Sequence, residues 1–178
     1  LWSPYDQSTY HAVLEMIQPT DVVIDIGAGD LRLARQMLKH AKKIYAVEIN
    51  PQVLSSGMKK SFPDSHRLVP ICADARSIKI PSDVSIGILL MRHCQEFRLY
   101  ANKLKQAGVD RLITNARWRM GVECVCLQIG RSAYEALRIG WFACWCGAVG
   151  FKPGPAEYYT LDLDNLVHEV SECPWCTA

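Results

Sequence analysis

Val22-Val23-Ile24-Asp25-Ile26-Gly27-Ala28-Gly29-Asp30 joins a buried-strand pattern to a glycine turn, and Leu31 to Lys43 continues directly with a helical period. Val22 to Ile26 is a β-branched run broken only by Asp25, as in a central parallel strand covered on both faces. Gly27 permits the tight turn. Gly29, lacking a Cβ, lets backbone N–H groups approach a ligand. Leu31, Ala34, Met37, Leu38 and Ala41 fall at helical spacing, so the helix is expected to start beside that ligand. A Gly-x-Gly turn alone is weak evidence, because any strand-to-helix connection can use glycine. The next strand strengthens it: Ile44-Tyr45-Ala46-Val47 ends in Glu48, nineteen positions after Gly29, where a carboxylate can accept both hydroxyls of a ribose. Arg32 stands where a dinucleotide fingerprint has its third glycine, which argues against a pyrophosphate packed on this helix.

Asp25-Ile26-Gly27-Ala28-Gly29-Asp30, with Ala46-Val47-Glu48-Ile49-Asn50-Pro51, resembles motifs I and II of the class I, Rossmann-like S-adenosylmethionine-dependent methyltransferases. The resemblance covers roughly residues 20 to 95 and implies an α/β fold with a doubly wound, mostly parallel sheet. It further implies S-adenosylmethionine as cofactor, with Asp25, Gly27, Gly29 and Asp30 along its methionine part, and Glu48 and Ile49 at the ribose. Ala73-Asp74-Ala75, just past a third strand over Arg67 to Cys72, looks like the family's adenine-contacting position. Asp74 would accept from the exocyclic amine there, with Ala75 beside it. Capping of the next turn is the plainer role for an aspartate at this point. Ser82 to Met91 reads as the fourth strand, and Met91-Arg92-His93-Cys94 lies at its carboxyl end, where open α/β sheets bind ligands. Met91 is therefore placed against the cofactor, and Arg92 and His93 are the candidates for a catalytic role. The Asn-Pro-Pro-aromatic signature of many base and glutamine N-methyltransferases is missing here, which weakens a planar-amine acceptor.

The 178 residues suit one α/β domain with a small appendage, divided at 1–140 and 141–178. Hydrophobic residues make up 49% and charged residues 21%, the balance of a globular chain rather than a disordered one. A net charge of +2 neither requires nor excludes nucleic acid, so the distribution of charge must decide. The start, Leu1-Trp2-Ser3-Pro4, has no basic segment followed by an apolar run, so no secretory signal is expected. The apolar stretch Ile139 to Phe151 is too short to span a bilayer, and no membrane partner is expected. Eight cysteines without a signal point to a reducing, cytoplasmic setting with thiols or metal in place of disulfides.

Ahead of the glycine strand, Asp6 to Ile17 carries Tyr10, Val13, Leu14 and Ile17 on one helical face, with Ser8 or Thr9 as cap. In the family a helix here often covers the cofactor, which brings Tyr5 or Tyr10 within reach; simple packing on the sheet edge is the plainer reading. Asn50-Pro51 opens a helix to about Lys60, Glu96 to Ala107 forms another ended by Gly108, and Arg111 to Asn115 is a fifth strand. Val122 to Ile129 alternates as a sixth strand with Cys124 and Cys126 on one face, read as packed thiols.

The last forty residues change character. Cys144-Trp145-Cys146-Gly147 and Cys173-Pro174-Trp175-Cys176 flank a segment containing Pro153-Gly154-Pro155, as two knuckles bracketing a hairpin would in a zinc ribbon. Cys173 to Cys176 has knuckle spacing, Cys144-x-Cys146 departs from it, and His168 could replace one thiol. Four buried cysteines in an apolar β segment, or a Cys-x-x-Cys redox pair, remain open alternatives. A metal held by Cys144, Cys146, Cys173 and Cys176 would be structural, since four protein ligands leave no open position.

Basic residues gather from Arg92 to Arg138. A solvated surface explains them, but Arg92, Arg117 and Trp118 near strand ends could border a mouth that holds a phosphate backbone or an acidic protein segment. Two functions follow: methyl transfer to a macromolecular acceptor, RNA, DNA or a protein side chain; or a non-catalytic subunit of methyltransferase-like fold that docks such a partner. Intact Gly27, Gly29, Glu48 and Asp74 favour the enzyme.

Overall fold

The computed structural model describes residues 3–59, 64–92, 94–117, 121–160 and 162–177. Helix α1 (Gln7–Glu15) leads into β1 (Val22–Ile26), the glycine turn and α2 (Arg32–Met37). Then come β2 (Lys43–Glu48), α3 (Pro51–Met58), β3 (Leu68–Cys72), β4 (Ile86–Leu89), α4 (Phe97–Gln106), β5 (Arg111–Thr114) and β6 (Glu123–Cys126). The six strands form one sheet in the order β3-β2-β1-β4-β5-β6, parallel except for β6, which runs antiparallel to β5. The order reverses between β1 and β4, so the crevice at their carboxyl ends lies at the topological switch point.

Alternation along β1 divides the core. Val23 packs with Val13, Met37, Ile44 and Leu54, under α1, α2 and α3; Ile24 and Ile26 pack with Phe97, Leu104 and Leu112, under α4. Helices thus cover both faces, which is why β1 is buried at all five positions. At the opposite end of the sheet, Arg111 holds buried Asp21 with two 2.7 Å bonds.

Several boundaries differ from those the sequence suggests. The cap of α1 is Asp6, whose carboxylate accepts from Thr9 N–H and Ser8 Oγ. The second helix stops at Met37 rather than Lys43, because the Arg67 guanidinium takes the carbonyls of Leu38 and Ala41, both at 2.8 Å. Cys124 is not a packed thiol: Val125 faces the core, and β6 is an edge strand whose other face leaves Cys124 exposed and Cys126 half-buried. A small second sheet follows, with β7 (Gly140–Cys144), β8 (Val149–Lys152) and β9 (Val167–Val170) in the order β8-β7-β9. β7 and β8 form a hairpin and β9 runs parallel to β7. Tyr134 and Leu137, just before β7, pack into this sheet's own core.

Gly57, inside α3, is where the fold meets the glycine loop most tightly. A Cβ there would lie 2.3 Å from the Asp30 carbonyl oxygen, and Arg35 bonds both Asp30 O and Gly57 O, at 2.7 and 3.0 Å. Gly57→Ala would gain up to about 1 kcal/mol in helix propensity, but overpacking against backbone costs ~2–3 kcal/mol. The expected result is a melting temperature lower by roughly 2–8 °C. An unchanged value by calorimetry would mean that α3 can slide away from the loop at no cost.

Candidate functional site

At the carboxyl ends of β1, β2 and β4 the chain encloses a cavity of about 450 Å³. Its size suits a nucleoside-containing cofactor. Glu48 ends β2 and stands in its wall, 7% exposed. Its Oε2 accepts from Gly29 N–H at 3.0 Å and its Oε1 from Asn50 N–H at 2.8 Å. Two backbone donors from opposite sides lock the side chain, and each carboxylate oxygen keeps a further lone pair for a hydroxyl.

Asp25, the polar residue of β1, also lines the cavity and is 3% exposed. Burial, and then the neighbouring charge of Glu48, pushes its carboxyl up to about 7. Its Oδ2 has no hydrogen-bond partner. A buried carboxyl that borders the cavity and keeps one oxygen without a partner is what a cationic or hydrogen-bonding ligand would complete.

Gly27 has φ +79°, donates its N–H to Val47 O, and lies so close to Met91 that an added Cβ would be 2.6 Å from the methionine Cε. These two residues form one face of the cavity. Gly29 is in the left-handed region at φ +58° but does not line the cavity; its part is the bond to Glu48. Of the two glycines, Gly27 is the one that lines the cavity. Asp30 lines the cavity while held by Arg32 Nη2 at 2.6 Å, and the Arg32 bonds keep its carboxyl below the usual range. Ile49, Asp74, Ala75 and Arg92 line the cavity as well.

Asp74 shapes the turn that follows it and borders the cavity. Its Oδ1 accepts from Arg76 N–H at 2.9 Å, shaping the turn, and its carboxylate pairs with the Arg76 side chain at 2.7 Å while bordering the cavity. Arg76, Glu96 and Tyr100 also line the cavity, and Arg76 Nη1 lies 3.5 Å from Glu96. The sequence reading missed these three, since the latter two come from α4 and nothing in a helical stripe marks the end that faces a ligand. Tyr5 and Tyr10 both reach the cavity, and the Tyr5 hydroxyl accepts from Arg92 N–H at 3.0 Å, with the Arg92 guanidinium 5.2 Å from its ring. His93 and Trp118 lie outside the described residues.

Arg117 does not border a substrate mouth. Its side chain is fully buried, held by Glu123 at 3.0 Å and by Glu169 of β9 at 2.6 Å, with Phe97 beneath it at 5.1 Å. Other members of the basic run also have internal partners: Arg111 holds Asp21, Arg131 reaches Glu169 and lies over Trp145, and Lys103 donates to Arg76 O. Among the described residues of that run, Arg92 is the cation on the cavity rim.

In the small sheet the four cysteines converge. Their Sγ atoms all lie within 4.8 Å of one another, with Cys144 to Cys176 at 3.5 Å, Cys146 to Cys173 at 3.7 Å and Cys173 to Cys176 at 3.9 Å. The first pair is not a knuckle in front of a hairpin: Cys144 and Cys146 form the tip of the β7–β8 hairpin, with Gly147 at φ +98° closing the turn. This explains their one-residue gap. His168 is not part of the group and lies against Gly140 instead.

The sheet order and switch-point cavity have counterparts among known proteins. Residues 5–113 match the pattern of the ribosomal RNA adenine dimethylase family. A probable ribosomal RNA small subunit methyltransferase A of Methanococcoides burtonii is 24% identical over 165 residues, covering 80% of this chain; the chain spans 58% of that relative's length. Among solved structures, a dimethyladenosine transferase from Plasmodium falciparum superposes with a TM-score of 0.54 at 17% identity, covering 61% of this chain and 41% of that one. An RNA methyltransferase from Salinibacter ruber in complex with S-adenosyl-L-homocysteine gives 0.53 at 19%, covering 63% and 76%. These two likenesses establish the Rossmann-like methyltransferase fold. With the family pattern running from Tyr5 through the glycine loop and Glu48 into β5, more than half of its length, the chain belongs to the ribosomal RNA adenine dimethylase family.

Proposed function

We propose that the protein transfers a methyl group from S-adenosylmethionine to RNA, an adenine amine being the acceptor that the family suggests first. The observation that carries this reading is the cavity in which the locked carboxylate of Glu48 and the orphaned Oδ2 of Asp25 share one wall. S-adenosylmethionine supplies a methyl already activated on a sulfonium, so the protein must chiefly align the acceptor and exclude water. Glu48 would receive the ribose hydroxyls, and Asp25 would face positive charge. Asp74 would meet the adenine amine while Arg76 shields its charge, and the rings of Tyr5 and Tyr10 would close the near side against water. Arg92, on the rim beside Tyr5, would meet a phosphate. His93, next to it in the chain, remains the candidate for taking the amine proton. The four converging cysteines add a structural metal to the same reading. Among the described residues no helix is long and apolar enough to cross a membrane.

One observation favours a second reading. The end of β4 continues as Leu90-Met91-Arg92, without the amide and prolines that hold a planar amine in many N-methyltransferases. A subunit that binds cofactor and RNA without turnover would have this loop and the same cavity.

The test is incorporation of labelled methyl from S-adenosylmethionine into cellular RNA, with nuclease- and protease-treated controls. Label should vanish with nuclease. Glu48→Ala removes a carboxylate whose hydrogen bonds contribute ~1.5–3 kcal/mol, so cofactor affinity should fall roughly 10- to 150-fold. Label retained after nuclease and lost with protease would move the acceptor to protein. Tight cofactor binding with no transfer to any polymer would favour the second reading.

A further inference from the structure

The four cysteines lie outside the residues that match the family, so their convergence asks for its own explanation. A zinc–thiolate bond of about 2.3 Å gives an S···S edge of about 3.8 Å in a tetrahedron. Three of the six observed separations, 3.5, 3.7 and 3.9 Å, bracket that edge, and the others are within 4.8 Å. A disulfide would need about 2.05 Å, and all four thiols are free. Two of the four sulfurs have donors aimed at them, as ligand thiolates would. Ala148 N–H points at Cys146 Sγ and Cys173 N–H at Cys176 Sγ, and the Arg98 guanidinium donates to Cys176 Sγ at 2.8 Å. Arg98 is half-buried and its Nε has no partner. A neutral thiol is a poor acceptor for a half-buried cation, whereas four thiolates around a divalent ion carry excess negative charge for Arg98 to offset.

Arg98 belongs to α4, and it is not the only link to that helix. Trp145, between the first two cysteines, donates to Asn102 Oδ1 at 2.6 Å. Gly147 sits so close to Phe97 that an added Cβ would lie 2.9 Å from the phenylalanine Cβ. Positions 98 and 102 lie one turn apart on the face toward the cysteines. The cap residue Glu96 and Tyr100, also one turn apart, line the cofactor cavity. One helix is therefore shared by two sites.

We propose that Cys144, Cys146, Cys173 and Cys176 hold one zinc ion, and that this site fixes the first two turns of α4 and with them a wall of the cofactor cavity. The coupling to the cofactor rests on the methyltransferase reading; the metal and its grip on α4 do not. Reduced protein purified without added metal should contain close to one zinc per chain by elemental analysis. Negligible metal would overturn the site. Removing zinc with a chelator should raise amide hydrogen exchange about tenfold or more over residues 96–102 as well as 140–176, while β1 and β2 stay protected. Affinity for S-adenosylhomocysteine should fall about tenfold in parallel and return with zinc but not magnesium. Arg98→Met, which keeps all four thiols, should retain zinc and still loosen residues 96–102, a result that does not depend on whether Cys173→Ser folds. Unchanged exchange over 96–102 in the zinc-free protein would overturn the coupling and leave the metal as a local staple. Zinc-dependent protection of α4 in a protein that takes up no cofactor would uphold the metal site and its grip, and sink the methyltransferase reading instead.

Discussion

Asp25→Asn should raise the melting temperature of the cofactor-free protein at pH 8 while weakening S-adenosylmethionine binding tenfold or more. The carboxyl is buried at the carboxyl end of β1 with Oδ2 unpartnered, and burial together with the Glu48 charge pushes it up to about 7. A carboxyl whose folded value lies above its unfolded one favours the native state when protonated. Its contribution is therefore intact below about pH 4 and is lost as pH rises through about 7. At pH 8 the native state holds an uncompensated charge, which an amide of the same shape would remove. The stabilisation should be roughly 4–10 °C at pH 8 and shrink towards zero near pH 4. Binding has the opposite sign, because a cationic ligand prefers ionised Asp25. Wild-type affinity should climb as pH rises through about 7, and the asparagine variant should lack that climb. The loss of a charge-assisted contact, ~1.5–3 kcal/mol, sets the tenfold figure. S-adenosylhomocysteine lacks the sulfonium and keeps the ammonium, so comparing the two ligands tells which positive group Asp25 meets. Parallel melting profiles for both proteins from pH 4 to 8 would mean that no charge is trapped there.

The strand–glycine–helix unit and Glu48 were legible because each depends on residues within one βα step. A five-residue apolar strand, a turn that needs positive φ at Gly27 and Gly29, and an acidic residue ending the next strand are local requirements. Which glycine lines the cavity was not legible, since that depends on Met91 arriving from β4, sixty-four positions away in the chain. Gly57 went unremarked because its constraint comes from the Asp30 carbonyl, not from α3 itself. The cysteines were legible as a group. Their frame was not, because a one-residue gap reads as a broken knuckle until the β7–β8 pairing makes it a hairpin tip. Arginines mislead most readily: charge in a sequence says nothing of whether a carboxylate from a distant strand will bury it, as Glu169 does for Arg117.

That last pairing carries the second large expectation. Arg117→Met should destabilise the protein by about 2–4 kcal/mol, most of it from leaving Glu123 and Glu169 without their shared cation. The full cost of breaking a buried pair is about 3–5 kcal/mol. Here the two carboxylates keep 23% and 27% side-chain exposure, and Glu169 retains Arg131 at 3.2 Å, so the cost is set about 1 kcal/mol below that range. The geometry also says where the damage falls. Glu123 is in β6 of the large sheet and Glu169 in β9 of the small one, so Arg117 is a tie between the two. Heat should release residues 130–176 before the large sheet melts, splitting a single calorimetric transition into two. Glu169→Gln should cost less, because the amide can still accept from Arg117, and the double variant should cost less than the sum of the two singles. A cost below about 0.5 kcal/mol for Arg117→Met, the ordinary range of a surface substitution, would mean that water reaches this network and that the remaining contacts hold the small sheet without it.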